Sequence, residues 1–119
     1  MAWNLNSDRP IFIQIVERIE MDIISGVYKP GAKLPAVREL AMEASVNPNT
    51  MQKALSELEK TGLVHSQRTS GRFITEDMNM IEEIKKQLAE EKINEFFNAM
   101  KMLGISEQET IKLIQKKEK

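Results

Sequence analysis

The chain has 119 residues, of which 41% are hydrophobic and 29% are charged, and its formal net charge is −1. This length and composition suit one domain, or one domain plus a helical appendage, rather than a disordered chain. Because the sequence has no cysteine and a single histidine, His65, it excludes disulfides, thiolate metal sites, histidine-based zinc sites and catalytic triads. It has neither a membrane-length apolar run nor a signal-peptide pattern, so we expect a soluble cytoplasmic protein without metal or cofactor.

A first helix is predicted to begin after Pro10. Apolar side chains then recur at the spacing of one helix face, at Phe12, Ile15, Val16, Ile19 and Ile23. Gly26 is expected to adopt the left-handed conformation that ends such a helix. Before Pro10, Trp3 and Leu5 alternate with asparagines, which fits a short strand or an ordered arm.

Two short helices joined by a tight turn are predicted next. The second helix follows Leu34 and Pro35, and the third has Asn47 as its N-cap and Pro48 at its first position. Gly62 is expected to end the third helix. The side chains predicted to face inward from it are Met51, Ala54, Leu55 and Leu58. This arrangement is a helix-turn-helix.

The residues that follow are β-prone. Residues 63–66 and 72–75 flank a polar tip at residues 68–71, which predicts a β-hairpin. A hairpin directly after a helix-turn-helix makes a winged helix.

A long apolar stripe at helical spacing begins near residue 77 and stops at Gly104. Ser106 and Glu109 have the spacing of a capping box for one further helix. The predicted fold class is therefore α+β and mostly helical. We expect a winged helix-turn-helix domain at residues 1–76 and a two-helix tail at residues 77–119.

Several motifs of this region together resemble the winged-helix domain of GntR-type bacterial transcriptional regulators. They are PIFIQI from residue 10, SG from 25, KPG from 29, LP from 34, RELA from 38, VNPNT from 46, AL from 54 and LE from 58. The NPNT stretch and the short helical tail resemble the YtrA-like subfamily. Two features depart from the family pattern: Ser45 stands where the turn usually has glycine, and residues 69–71 replace Gly-x-Gly in the wing.

A recognition helix presents polar side chains to base edges while it buries its opposite face. Asparagine and glutamine pair with adenine, threonine contacts base edges, and lysine binds phosphate. The resemblance adds two further parts of the chain to the candidate DNA-binding surface, which are the arginine of the RELA motif and the wing. The candidate DNA-binding residues are Arg38, Asn47, Pro48, Asn49, Thr50, Gln52, Lys53, Arg68, Thr69, Ser70, Gly71 and Arg72. The alternative for each is an ordinary solvated side chain.

The apolar stripe of the tail must pack on the winged domain, on a second chain, or on both. Members of the family dimerise through this tail, so the resemblance implies a twofold homodimer. Its candidate interface consists of Ile93, Phe96, Phe97, Met100 and Leu103. The alternative is a core within one chain.

The leading hypothesis is a sequence-specific DNA-binding transcriptional regulator that is not an enzyme. The resemblance implies a repressor of a transporter operon that binds a palindromic double-stranded DNA operator as a homodimer. One alternative is a winged-helix interaction module without specific DNA binding, and another is a regulator with an unknown small-molecule effector at the dimer interface.

The net charge does not by itself favour a nucleic-acid partner, but its distribution is informative. Residues 1–75 are slightly basic and the remainder is acidic. We therefore expect weak non-specific DNA binding and a strong dependence on dimerisation and base contacts.

Overall fold

The computed structural model describes residues 3–117, which form five helices and one two-stranded antiparallel sheet. The elements are α1 (Ile11–Ile24), α2 (Val37–Ala44), α3 (Pro48–Thr61), β1 (Val64–Gln67), β2 (Gly71–Ile74), α4 (Met78–Met102) and α5 (Glu107–Lys117). This order confirms the predicted winged helix-turn-helix followed by C-terminal helices. The chain divides into two compact units between Glu82 and Glu83. The predicted domain boundary after residue 76 stays a prediction.

The core of the first unit lies where α1 and α2 pack against α3. Its largest fully buried side chains come from all three helices and from the hairpin, and they include Ile15, Ile19, Leu40, Met51, Leu55, Leu58, Leu63, Val64 and Ile74. Each such side chain stabilises the fold by roughly 1.5–3 kcal/mol relative to an exposed position. The inward face predicted for α3 is confirmed, because Met51, Ala54, Leu55 and Leu58 are all buried.

The turn between α2 and α3 depends on a serine in a conformation that usually requires glycine. Ser45 has φ 59° and ψ 47°, and among residues 3–117 it is the only non-glycine residue with a positive φ. An L-residue in this region costs roughly 1–2 kcal/mol, because its Cβ crowds the following carbonyl oxygen. The departure from the family's glycine therefore strains this turn.

Residues 3–10, before α1, form an ordered arm rather than a strand. The buried side chain of Gln14 accepts a hydrogen bond from the Asn6 amide (2.9 Å) and donates to the carbonyls of Asn6 (2.8 Å) and Arg9 (2.9 Å). Trp3 is buried, and the Arg18 guanidinium lies 4.8 Å from its ring centroid. Gln14 thus binds the arm to α1.

The hairpin pairs Val64 with Ile74 and Gln67 with Gly71. Residues 31–34, here called the linker segment, run along the other edge of β2. The Ile74 amide donates to the Ala32 carbonyl (2.8 Å), and the Leu34 amide donates to the Arg72 carbonyl (2.9 Å). β2 is therefore hydrogen-bonded on both sides.

In the second unit, α5 begins with the predicted capping box. The Glu109 amide donates to the Ser106 hydroxyl (3.1 Å), and the Ser106 amide donates to the Glu109 carboxylate (3.2 Å). Gly104, after the end of α4, has φ 83°. Both signals that the sequence contains for this turn are confirmed.

Across the described part of the chain, no helix combines the length and the apolar character that a membrane crossing requires.

Candidate nucleic-acid interface

The start of α3 is fixed by its own sequence. Asn47 has an extended backbone, and its side-chain oxygen accepts a hydrogen bond from the Asn49 amide at 2.7 Å. Pro48 occupies the first helical position, where the missing amide hydrogen costs nothing. The N-cap predicted from the sequence is therefore confirmed, and Asn47 has a structural role in addition to any role in binding.

The outer face of α3 is polar over its first two turns. Asn49, Gln52, Lys53 and Ser56 are exposed, whereas Thr50 is half-buried. Asparagine and glutamine at such positions reach base edges in the major groove. The structure brings these residues together on one surface opposite the core.

Lys53 also contacts α1. Its ammonium nitrogen lies 4.0 Å from the ring centroid of Phe12, which is the geometry of a cation–π interaction. The sequence indicated Phe12 as part of the apolar face of α1 but did not indicate this contact. The ring holds the Lys53 ammonium at the edge of the α3 surface.

Arg38 is the second residue of α2 and is exposed. The acidic neighbour Glu39 does not pair with it; instead, the Glu39 carboxylate accepts a hydrogen bond from the Ala36 amide (3.2 Å) at the start of α2. No ion pair of Arg38 occurs within residues 3–117. Its guanidinium is therefore available to an external anion.

The turn of the wing consists of exposed residues. Arg68, Thr69 and Ser70 lie between the strands, and Gly71 begins β2 with φ 108°. A residue with a side chain is strained at this φ, which accounts for glycine at this position.

Arg72 differs from the other wing residues because it faces inward. Its Nε donates to the Glu59 carboxylate of α3 at 3.0 Å, and only 17% of its side chain is exposed. The Ser66 hydroxyl of β1 donates to the same carboxylate. The Ser66 hydroxyl and the Arg72 guanidinium together lower the pKa of Glu59 below its ordinary value. Sequence reasoning assigned Arg72 to the DNA surface and missed Glu59.

The second unit exposes large apolar side chains. Of the five predicted interface residues, Ile93 (52%), Phe96 (45%) and Leu103 (74%) are exposed, while Phe97 and Met100 are half-buried. The rings of Phe96 and Phe97 are in contact, with centroids 5.9 Å apart. α5 also exposes apolar side chains that the predicted interface does not include, at Ile111, Leu113 and Ile114.

An open cleft of about 470 Å³ lies beside the turn between α2 and α3. Its lining combines the arm, the start of α1 and the first residues of α3, and consists of Trp3, Leu5, Ile11, Ala44, Ser45, Val46, Asn47 and Thr50. Within the described residues, no cluster of three or more acidic or histidine side chains is suited to hold a metal ion.

Residues 13–74 match the family model described as bacterial regulatory proteins of the gntR family, and this match covers more than half of the chain. The chain belongs to the GntR family. As a member of this family, the chain is a transcriptional regulator and not an enzyme.

Two relatives of this GntR-family chain come from Bacillus subtilis. The HTH-type transcriptional regulator YhcF is 38% identical over 111 residues, which cover 93% of this chain and 92% of YhcF. The HTH-type transcriptional repressor YtrA is 42% identical over 91 residues, which cover 69% and 70% of the two chains. The predicted resemblance to YtrA-like regulators is confirmed.

Solved structures agree with this assignment. A GntR family transcriptional regulator from Listeria monocytogenes has a TM-score of 0.86 and 38% identity, with 94% of this chain and 98% of that chain covered. The DNA-binding domain of AraR, in complex with operator ORE1, has a TM-score of 0.54 and 30% identity, with 63% and 94% covered. The winged domain of this GntR-family chain therefore has a structural relative that is bound to an operator.

Proposed function

We propose that the chain is a homodimeric repressor that binds a palindromic operator in double-stranded DNA. The observation that carries this proposal is the exposed polar surface on the first two turns of α3, opposite a fully apolar buried face. In a helix-turn-helix this surface enters the major groove. The AraR domain bound to its operator supports the same use of the fold here.

Each element of the surface has a role in this proposal. Asn49 and Gln52 pair with base edges, and Thr50 contacts a base or a thymine methyl group. The remaining candidates bind the sugar–phosphate backbone, where they set the position of the protein on the duplex. They are Arg38, Asn47, Pro48, Lys53, Arg68, Thr69, Ser70 and Gly71.

Dimerisation is proposed to occur through the second unit. Ile93, Phe96 and Leu103 are large apolar side chains with about half or more of their surface exposed in the single chain. Soluble proteins usually cover contiguous apolar patches, and a twofold dimer covers the same patch on both copies. Two symmetric recognition helices then require an operator with two inverted half-sites.

Repression follows from occupation of the promoter by the dimer, and the relative YtrA is named a transcriptional repressor. A protein that regulates bacterial promoters works in the cytoplasm, where we place this chain. A small-molecule effector is not required for this mode of repression.

In vitro selection from a random duplex library tests the proposal with the full chain. We expect enrichment of an inverted repeat, with two chains bound to each enriched duplex. A template that carries the selected sequence across a promoter should yield less transcript when the protein is added.

Failure to enrich any sequence, together with no mobility shift at low salt, would leave the winged-helix interaction module as the better description. Enrichment of a non-palindromic site by a single chain would contradict the dimer. Increased transcription from the selected template would contradict repression.

A further inference from the structure

We propose that Lys33, in the linker segment, is a phosphate-binding residue of the wing, and that Arg72 supports the wing from inside. This inference rests on the proposed DNA-binding function and adds a residue that the motifs did not indicate. It adds Lys33 to Arg68 as a positively charged backbone contact at the wing.

The position of Lys33 follows from the hydrogen bonds of the linker segment. Lys33 pairs with Phe73 in an antiparallel bridge, and Phe73 pairs with His65 across the hairpin. Directly opposed residues in antiparallel strands project to the same face of the sheet. Lys33 therefore shares the outer face of the wing with His65 and Phe73, whereas the neighbouring Arg72 projects to the face that meets α3.

The absence of a side chain at Gly71 leaves room for Lys33. A Cβ atom built on Gly71 would lie 3.1 Å from Cε of Lys33 and 3.9 Å from its Nζ. The lysine side chain thus crosses the backbone of Gly71, next to the turn that carries Arg68. Its ammonium lies beside the tip of the wing although the residue belongs to a distant part of the sequence.

The positively charged side chains at the wing differ in whether they pair with a carboxylate. Arg72 is paired with Glu59 at 3.0 Å. Lys33 is exposed, and neither Lys33 nor Arg68 has a carboxylate partner within residues 3–117. A lysine is a compact charge on a flexible stem, which suits contact with a phosphate but not the reading of a base.

The experiment measures the affinity of the full chain for a selected duplex and for a scrambled duplex as a function of salt concentration. Lys33→Gln should lower the salt slope by about 1 per subunit and weaken binding to both duplexes by a similar factor. Lys33→Arg should retain the wild-type slope.

Lys29→Gln is the matched control. Lys29 is an exposed lysine of the same loop, but its Nζ lies 3.7 Å from the Cβ position of Gly26, at the end of α1, whereas the Lys33 side chain lies at Gly71 of the wing. The salt slope of Lys29→Gln should equal that of the wild type. Fluorescence of Trp3, the single tryptophan, verifies that each variant retains the winged fold.

A wild-type slope in Lys33→Gln would overturn the inference while leaving the DNA-binding function intact. Equal losses in Lys33→Gln and Lys29→Gln would also overturn it, because the effect would then be one of overall charge. Absence of binding by the wild-type chain would instead refute the proposed function.

Discussion

Arg72 on β2 and Glu59 on α3 are joined by a hydrogen-bonded ion pair of 3.0 Å. Because Ser66 on β1 donates to the same carboxylate, one acidic side chain holds both strands of the wing to α3, the helix that carries the proposed base-reading residues. The surface proposed to read bases and the wing proposed to contact the backbone are therefore joined by this ion pair.

Glu59→Gln should lower the free energy of unfolding of the winged unit by about 1 kcal/mol at neutral pH, because the amide cannot replace the charged partner of Arg72. Urea unfolding followed by Trp3 fluorescence measures this difference. Glu57→Gln is the control, since Glu57 pairs only within α3, with Lys60 at 3.0 Å. Equal effects of the two substitutions would show that the Glu59 contact has no special role.

The ion pair between Glu59 and Arg72 also predicts that the stability of the winged unit depends on pH. The pKa of Glu59 is lowered in the folded state by Ser66 and Arg72, relative to an ordinary value of 4.5. Its contribution to stability is therefore complete above about pH 4.5 and is lost as the pH falls through the lower folded-state pKa. The difference between wild type and Glu59→Gln should narrow as the pH is lowered through this range, and a constant difference would contradict the assignment.

Gln52→Ala should weaken binding to the selected operator by about 10-fold or more, because a bidentate base contact contributes roughly 1–3 kcal/mol of discrimination. Binding to a scrambled duplex should be unchanged, since glutamine carries no charge. Gln87→Ala, at an exposed position of α4, provides the matched control. Titration of labelled duplexes measures both affinities. A parallel loss on both duplexes would remove Gln52 from the base-reading set.

Ser45→Gly should stabilise the winged unit by about 1 kcal/mol, which corresponds to about 5 °C in Tm for a domain of this size. The glycine removes the strain of a left-handed serine at φ 59°. Ser25→Gly should have the opposite sign, because Ser25 ends α1 with φ −80° and gains nothing from the greater freedom of glycine. Thermal unfolding compares the two, and destabilisation by both would contradict the strain at Ser45.

Phe96→Glu should convert the dimer to monomers, because it buries a charge in the proposed apolar interface. Sedimentation equilibrium measures the change, and affinity for a palindromic operator should fall with it. Val27→Glu, at an exposed apolar position of the first unit (65% exposed), should leave the association state unchanged. A normal dimer in Phe96→Glu would refute the interface.

Local signals predicted those contacts whose partners lie within a few residues of each other. The cap of α3 by Asn47 and the box between Ser106 and Glu109 follow from side-chain chemistry and spacing alone. The order of helices and strands follows for the same reason, because each begins or ends at such a signal.

The contacts that the sequence did not indicate join a side chain of one structural element to a different element. The Glu59 carboxylate pairs with Arg72, the Lys53 ammonium lies over the Phe12 ring, and the Gln14 side chain is hydrogen-bonded to the arm. Each depends on the packing angle between two elements, which periodicity does not specify. The alternation of side chains along β2 gave a partial signal for the contact with Glu59, since Arg72 shares a strand face with the buried Ile74.

The bonds between the linker segment and β2 have a consequence for folding. A hairpin of two four-residue strands is marginal by itself in water. Here β2 also needs the linker segment, which precedes α2 and α3, and the two meet only after both helices have brought the chain back on itself. The complete wing is therefore a non-local structure, and we expect it to form late in folding, once α2 and α3 have packed.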